Sequence, residues 1–88
     1  MAKTFHVDIA SPSRIVYKGE AASLVVPCEF GYAGILADHA PMVARLVKGK
    51  ITVRDSSLAT VTFNSGGGGF LEVLKNNATL ILDVVTSA

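Results

Sequence analysis

The sequence contains almost no cysteine. Cys28 is the single thiol among 88 residues, so no disulfide can form within the chain, and a reducing compartment is the expected setting. Cys28 follows the apolar stretch Leu-Val-Val-Pro, and no cluster of cationic residues adjoins it in sequence. We therefore predict that Cys28 is a small buried side chain and not a reactive thiol.

An excess of one charge and long apolar runs are also missing. The net charge is +1 and the basic residues are scattered, which argues against a nucleic-acid or lipid partner. Aromatic residues make up 7% of the chain and are not interleaved with basic ones, as a nucleic-acid-binding platform requires. The N-terminus has no signal-peptide core, and no apolar run approaches the roughly 18 residues that span a bilayer. We expect any membrane contact to be made through other subunits.

Apolar residues, by contrast, are abundant for so short a chain. They make up 50% of the sequence, and the mean hydropathy is +0.47. A small protein has proportionally more surface to cover with polar groups. The composition therefore predicts either an exposed apolar face or a place inside a complex.

Apolar and polar residues alternate with a period of two, beginning with Phe5, Val7 and Ile9. This period indicates strands with one buried face. Turn signals recur about every 8 to 12 residues, and the one helical candidate, residues 40–47, is too short to outweigh them. We predict a single all-β domain over residues 1–88, an antiparallel two-sheet β-sandwich or flattened barrel.

The phase of the alternation also predicts the core and the breaks between strands. We expect a turn at Lys48–Lys50, an interruption at Gly66–Gly69 and a hairpin turn at Asn76–Asn77. The predicted core consists of Phe5, Val7, Ile9, Val26, Val53, Val61, Phe63, Leu71, Val73, Leu80 and Leu82.

Few residues suggest a catalytic, metal-binding or phosphate-binding site. His6 and Asp8 share one strand face and Asp38–His39 lie elsewhere, but no known metal-ligand spacing is present. His39 as a general base has no recognisable partner motif. The glycine run feeds a strand and carries no lysine, unlike a phosphate loop, and we interpret it as a bulge or a close backbone approach within a sheet. We therefore predict no catalytic residue, no metal and no cofactor.

The stretch from Gly31 to Leu46 favours a contact surface instead. Gly31 and Gly34 bracket Tyr32, and Pro41 closes what we interpret as a tight loop. Asp38 belongs to the few residue types that tolerate a left-handed backbone, so we predict a positive φ angle there. His39 is expected to be at least partly exposed to solvent, on a rigid edge that contacts a partner.

Three segments together resemble a known family. GILADHAPMVARLVKGKITV, FHVDIASPSRIVYKGEAASLVVP and SGGGGFLEVLKNNATLILD are similar, in the right order, to motifs of the epsilon subunit of F-type ATP synthases, called delta in mitochondria. The resemblance covers about residues 4 to 85. It implies a sandwich of two five-stranded sheets, about ten short strands in all, in the central stalk of a proton-translocating enzyme.

The resemblance further implies a non-catalytic rotor subunit that couples rotation of the membrane c-ring to the gamma subunit during ATP synthesis. Such a subunit is peripheral, on the cytoplasmic face of the bacterial inner membrane. The residues implied to face the c-ring are Gly31, Tyr32, Gly34, Asp38, His39, Ala40, Pro41 and Met42.

Two departures from the family pattern matter. Tyr32 stands where the family often carries an acidic residue, which puts an ionic contact at that position in doubt. The helical hairpin that usually follows the sandwich is absent from this sequence, so we expect no hairpin-dependent inhibition. The alternative from another class is a small ligand-binding β-barrel, for which a pocket lined by Tyr17, Tyr32 and His39 would be the distinguishing feature.

Overall fold

The alternating segments form eight strands in a computed structural model that describes residues 3–88. The strands are β1 (Phe5–Ser11), β2 (Arg14–Ala21), β3 (Ser23–Cys28), β4 (Gly31–Leu36), β5 (Met42–Arg54), β6 (Thr60–Leu74), β7 (Asn77–Leu82) and β8 (Val85–Ser87). No helix within the described range is long and apolar enough to cross a bilayer.

The strands form one continuous hydrogen-bonded sheet. Their order is β2-β1-β7-β6-β5-β3-β4, and β8 pairs with β6. All pairs are antiparallel except β1 and β7, which run parallel, with His6 opposite Asn77. The prediction of a purely antiparallel sandwich is therefore wrong for this one pair.

The sheet bends into two layers where its two longest strands change register. β5 and β6 pair along most of their length, with a shift between Leu46 and Lys48 opposite the glycine run. One layer holds β2, β1, β7 and one half each of β6 and β5, namely residues 69–74 and residues 42–46. The other holds β4, β3, β8 and the remaining halves.

The predicted number of about ten strands is wrong, because two expected breaks lie inside strands. Lys48–Lys50 and Gly66–Gly69 are bends within β5 and β6, and pairing resumes beyond each bend. Gly67 and Gly68 have φ angles of 87° and 72°, values that glycine adopts without steric cost. The glycine run is therefore a bend between layers, in agreement with its interpretation as a sheet irregularity.

One hydrophobic core lies between the layers, and every strand contributes to it. The buried apolar residues are Phe5, Val7, Ile9, Ala21, Leu24, Val26, Cys28, Ile35, Ala44, Leu46, Ile51, Val53, Phe63, Leu71, Val73, Ala78, Leu80, Leu82 and Val85. The predicted core is confirmed except for Val61, which is 40% exposed. Val61 has the right phase but lies next to the start of β6, at the rim of the sandwich.

The two ends of the sandwich carry different connections. The Asp38 end is formed by the loop of residues 37–41, the turn of residues 55–59 and the Lys75–Asn76 turn. The Tyr32 end is formed by the turn between β3 and β4 together with the bends of β5 and β6.

Candidate partner-binding surfaces

The loop at the Asp38 end is fixed by hydrogen bonds to a second turn. Asp38 has a φ angle of 64°, which confirms the predicted left-handed backbone. Its N–H donates to Oδ1 of Asn76 over 2.6 Å, and Nδ2 of Asn76 donates to Oδ1 of Asp38 over 3.0 Å. Two connections that lie far apart in sequence are thereby joined.

Lys3 completes this network from the N-terminal segment. Its Nζ lies 2.8 Å from Oδ2 of Asp38. The hydrogen bond from Lys3, followed by the one from Asn76, lowers the pKa of the Asp38 carboxyl group, and the same contact raises the pKa of Lys3. Both side chains are mainly exposed, so water screens this ion pair.

His39 follows directly in the same loop and is half-buried, which confirms the expected partial exposure. Its backbone N–H donates to the carbonyl of Leu36 over 3.2 Å. Its Nδ1 donates to the carbonyl of Ala40 over 2.7 Å, an arrangement that requires the proton on Nδ1. The ring is therefore oriented by the loop itself, and in the neutral form Nε2 is an acceptor.

The first part of the predicted contact loop is a strand. Gly31, Tyr32 and Gly34 belong to β4, an outer strand that pairs only with β3 in the described part of the chain. The hydroxyl of Tyr32 accepts a hydrogen bond from the N–H of Lys50 over 3.1 Å. The interpretation of residues 31–42 as one loop is therefore wrong, and residues 37–41 alone form the connection.

The predicted contact residues consequently lie at opposite ends of the sandwich. Leu36 lies four positions after Tyr32, about 13 Å along β4 at about 3.3 Å per residue of extended strand. Gly31 and Tyr32 lie at the Tyr32 end, whereas Asp38, His39 and the residues up to Met42 lie at the Asp38 end. A contact that includes both groups must therefore run along the outer strand β4 from one end to the other.

An exposed apolar row on the outer face of the first layer was not located by the sequence. Strand register places Phe70 opposite Ile81, Ile81 opposite Ala10, and Ala10 opposite Ile15. Phe70, Ile81 and Ile15 are 56%, 54% and 63% exposed. We call Phe70, Ile81, Ala10 and Ile15 the apolar row. The high hydropathy was the only sequence signal for it, since composition does not reveal which strands are neighbours.

The surroundings of the apolar row are partly charged. An open cleft of about 290 Å³ beside the row is lined by Val43, Phe70, Leu71, Glu72, Thr79 and Ile81. The guanidinium of Arg45 lies 5.9 Å from the centre of the Phe70 ring, within the range of a cation–π contact. An apolar centre with a charged rim is the composition expected of a protein–protein contact.

The residues considered for other chemistry are engaged elsewhere. Among residues 3–88, no three His, Cys, Asp or Glu side chains are arranged to hold a metal ion. Cys28 is buried, and burial raises the pKa of its thiol, which confirms it as a core residue. Tyr17 packs edge-to-face on Phe63 with ring centres 5.9 Å apart. Since Tyr32 and His39 lie at opposite ends, the pocket required by the ligand-binding alternative is not formed.

Comparison with known proteins agrees with this architecture. Residues 4–88 match the profile of the family described as ATP synthase, Delta/Epsilon chain, beta-sandwich domain. The chain belongs to this delta/epsilon family.

Curated members of the delta/epsilon family are similar along nearly the whole chain. The ATP synthase epsilon chain of Leptospira borgpetersenii is 41% identical over 83 residues, which are 93% of this chain and 63% of the relative. That of Thioalkalivibrio sulfidiphilus is 38% identical over 88 residues, which are 100% of this chain and 62% of the relative. The chain thus spans about three fifths of the length of these relatives.

Chains in solved structures of mitochondrial ATP synthases share the fold at low sequence identity. A chain of the Euglena gracilis mitochondrial ATP synthase, in an assembly with the c-ring, superposes with a TM-score of 0.88 at 16% identity, covering 96% of this chain and 53% of that one. A chain of the Tetrahymena thermophila central stalk and c-ring gives a TM-score of 0.77 at 13% identity, covering 98% and 68%. These likenesses establish the fold alone.

Proposed function

We propose that this chain is a non-catalytic subunit of the rotor of a proton-translocating ATP synthase. It stands in the central stalk and couples rotation of the c-ring to the gamma subunit during ATP synthesis. It is peripheral, on the cytoplasmic face of the bacterial inner membrane, and it contacts the membrane only through other subunits. Membership of the delta/epsilon family supports this proposal.

The observation that carries the proposal is the presence of separate contact surfaces on one rigid body. The apolar row crosses four strands of one face, while the fixed loop of Asp38 and the strand position of Tyr32 lie at the two ends. A subunit that stands between two partners needs such surfaces in different directions. An enzyme or a ligand carrier needs a convergent pocket instead.

Rigidity is the second physical requirement of a coupling subunit. Torque passes only through contacts that do not yield. Here all eight strands belong to one hydrogen-bonded sheet, and no buried side-chain nitrogen or oxygen of the described residues lacks a hydrogen-bond partner. A close-packed core between the two layers resists shear between them.

Each surface is assigned a kind of contact. The apolar row fits the gamma subunit, because the centre of a stable protein–protein contact is apolar. The c-ring presents polar loops, which suit the polar side chains exposed at the ends of the sandwich, such as Lys3, Asp38 and Lys48. Since Tyr32 and His39 lie at opposite ends, we propose that one end rests on the c-ring and that the other faces the gamma subunit.

Co-purification tests this proposal. An affinity-tagged chain is co-expressed with gamma and c-ring subunits, and the bound subunits are identified after purification. We expect both subunits to be retained. Phe70→Asp should release gamma because it places a charge in the apolar row, whereas Val25→Asp, at a 38% exposed residue on the outer face of the other layer, should not. Failure of the unaltered chain to retain either subunit would contradict the proposal.

A further inference from the structure

The ring of His6 lies between two carboxylates on the outer face of the first layer. Its Nδ1 is 3.1 Å from Oε2 of Glu20, and its Nε2 is 2.9 Å from Oδ1 of Asp8. Glu20 is the cross-strand partner of His6 on β2, and Asp8 is two residues further along β1 on the same face. Both contacts therefore follow directly from strand register.

Only the protonated ring can satisfy both contacts. An ionised carboxylate is an acceptor, and a neutral imidazole carries one N–H donor and one acceptor nitrogen. In the neutral form, one ring nitrogen would point its lone pair at a carboxylate oxygen. The imidazolium form donates to both, with charge-assisted hydrogen bonds on each side.

The other groups near His6 leave this balance in place. Lys18, on β2, is in register with Asp8, so a cation faces the second carboxylate across the strand pair. Thr4 donates to Oε1 of Glu20 over 3.2 Å. On the opposite side, β7 places Asn77 and Thr79 in register with His6 and Asp8, and neither side chain titrates. The hydrogen bond to Glu20, followed by that to Asp8, raises the pKa of His6 above its ordinary value of 6.5.

The contact with Glu20 matters for the edge of the sheet. Within residues 3–88, β2 is the terminal strand of the sheet and pairs with β1 alone. Of the two carboxylates, Glu20 is 61% exposed and Asp8 is 35% exposed. When the ring loses its proton and only one contact can remain, the more exposed Glu20 is the one that water replaces more readily.

We infer that His6 is a proton-dependent clamp on the edge strand β2. Its imidazolium form ties β2 to β1 through Glu20, and loss of the proton releases this tie. The inference is independent of the proposed function. Because the folded state binds this proton more tightly, the stabilisation is complete below pH 6.5 and is lost as the pH rises through the higher pKa of the folded chain.

Nuclear magnetic resonance titration of the full chain tests the first half of the inference. The only two histidines are His6 and His39, so His39 is an internal reference, assigned with a His39→Gln variant. We expect His6 to titrate with a midpoint above 6.5, and Glu20→Gln to lower that midpoint. The matched control is Glu29→Gln, which removes an exposed carboxylate that lies 3.6 Å from Arg45 and should leave the midpoint unchanged.

Amide hydrogen exchange tests the second half. Protection factors, which correct for the intrinsic pH dependence of exchange, are compared at pH 6 and pH 8.5 for the amides of β2 and of β6. We expect β2 protection to fall severalfold at the higher pH in the unaltered chain and to be independent of pH in Glu20→Gln. The inference would be overturned if Glu20→Gln left the titration midpoint of His6 unchanged. It would also be overturned if β2 protection in the unaltered chain were the same at both pH values.

Discussion

Asp38 and Asn76 exchange two hydrogen bonds across the Asp38 end, although 38 positions of sequence separate them. Both residues have positive φ angles, 64° and 60°. The left-handed backbone at each position turns the chain so that the two short polar side chains face one another. The loop that displays His39 is therefore positioned by a turn between β6 and β7.

We predict a fixed order of stability among variants of Asp38. Asp38→Asn keeps the acceptor for Asn76 and a residue that tolerates positive φ, so it should change stability least. Asp38→Gly keeps the backbone but loses the side-chain contacts. Asp38→Val loses both and should be the least stable. Urea unfolding of the three variants measures the order, and a Val variant as stable as the Asn variant would show that the backbone conformation is not required.

A second prediction uses two valines that face each other across β5 and β6. Val53 and Val61 are register partners, but Val53 is fully buried and Val61 is 40% exposed. Val53→Ala should lower the free energy of unfolding by about 2 kcal/mol through lost contacts and a cavity. Val61→Ala should cost less than about 1 kcal/mol. Equal losses of unfolding free energy for the two variants, measured by urea unfolding, would mean that Val61 is as buried as Val53.

The fold was predictable from the sequence where local pattern decides it. A period of two is imposed by strand geometry, so Phe5, Val7 and Ile9 could be assigned to the core without knowledge of their neighbours. The Lys75–Asn76 turn was found within one residue for the same local reason. The parallel pairing of β1 with β7 was missed, because alternation identifies the buried face of a strand but not its partner.

The third prediction concerns the glycine run. A methyl group on Gly69 would collide with the backbone carbonyl oxygen of Ile81 in the neighbouring strand. Gly69→Ala should therefore destabilise the fold by about 1 to 3 kcal/mol, as overpacking does. Gly34→Ala is the matched control, because a methyl group there meets nothing within 4 Å and should be neutral or slightly stabilising. Equal stability of the two variants would show that β6 and β7 can move apart.

The sequence indicated which residues could contact a partner but not where they lie on the sandwich. Glycines around Tyr32 and the tolerance of Asp38 for a left-handed backbone are local features, and the second was confirmed. That β4 carries Tyr32 and His39 to opposite ends depends on where the strand begins, which an apolar stretch with two glycines does not reveal. Asn76 and the apolar row were missed, since both arise from contacts between segments distant in sequence.

Site-specific cross-linking in the assembled ATP synthase tests the proposed position in the stalk most directly. Tyr32→Cys and His39→Cys mark the two ends of the sandwich, and Val25→Cys, at a 38% exposed residue opposite Gly34 in the middle of β4, is the control away from both ends and from the apolar row. Cys28 is buried and should not react. We predict that residues 32 and 39 cross-link to different subunits, one to gamma and the other to the c-ring, and that residue 25 cross-links to neither. If the chain co-purifies with the complex but neither Tyr32→Cys nor His39→Cys cross-links to gamma or to the c-ring, the proposed position is contradicted.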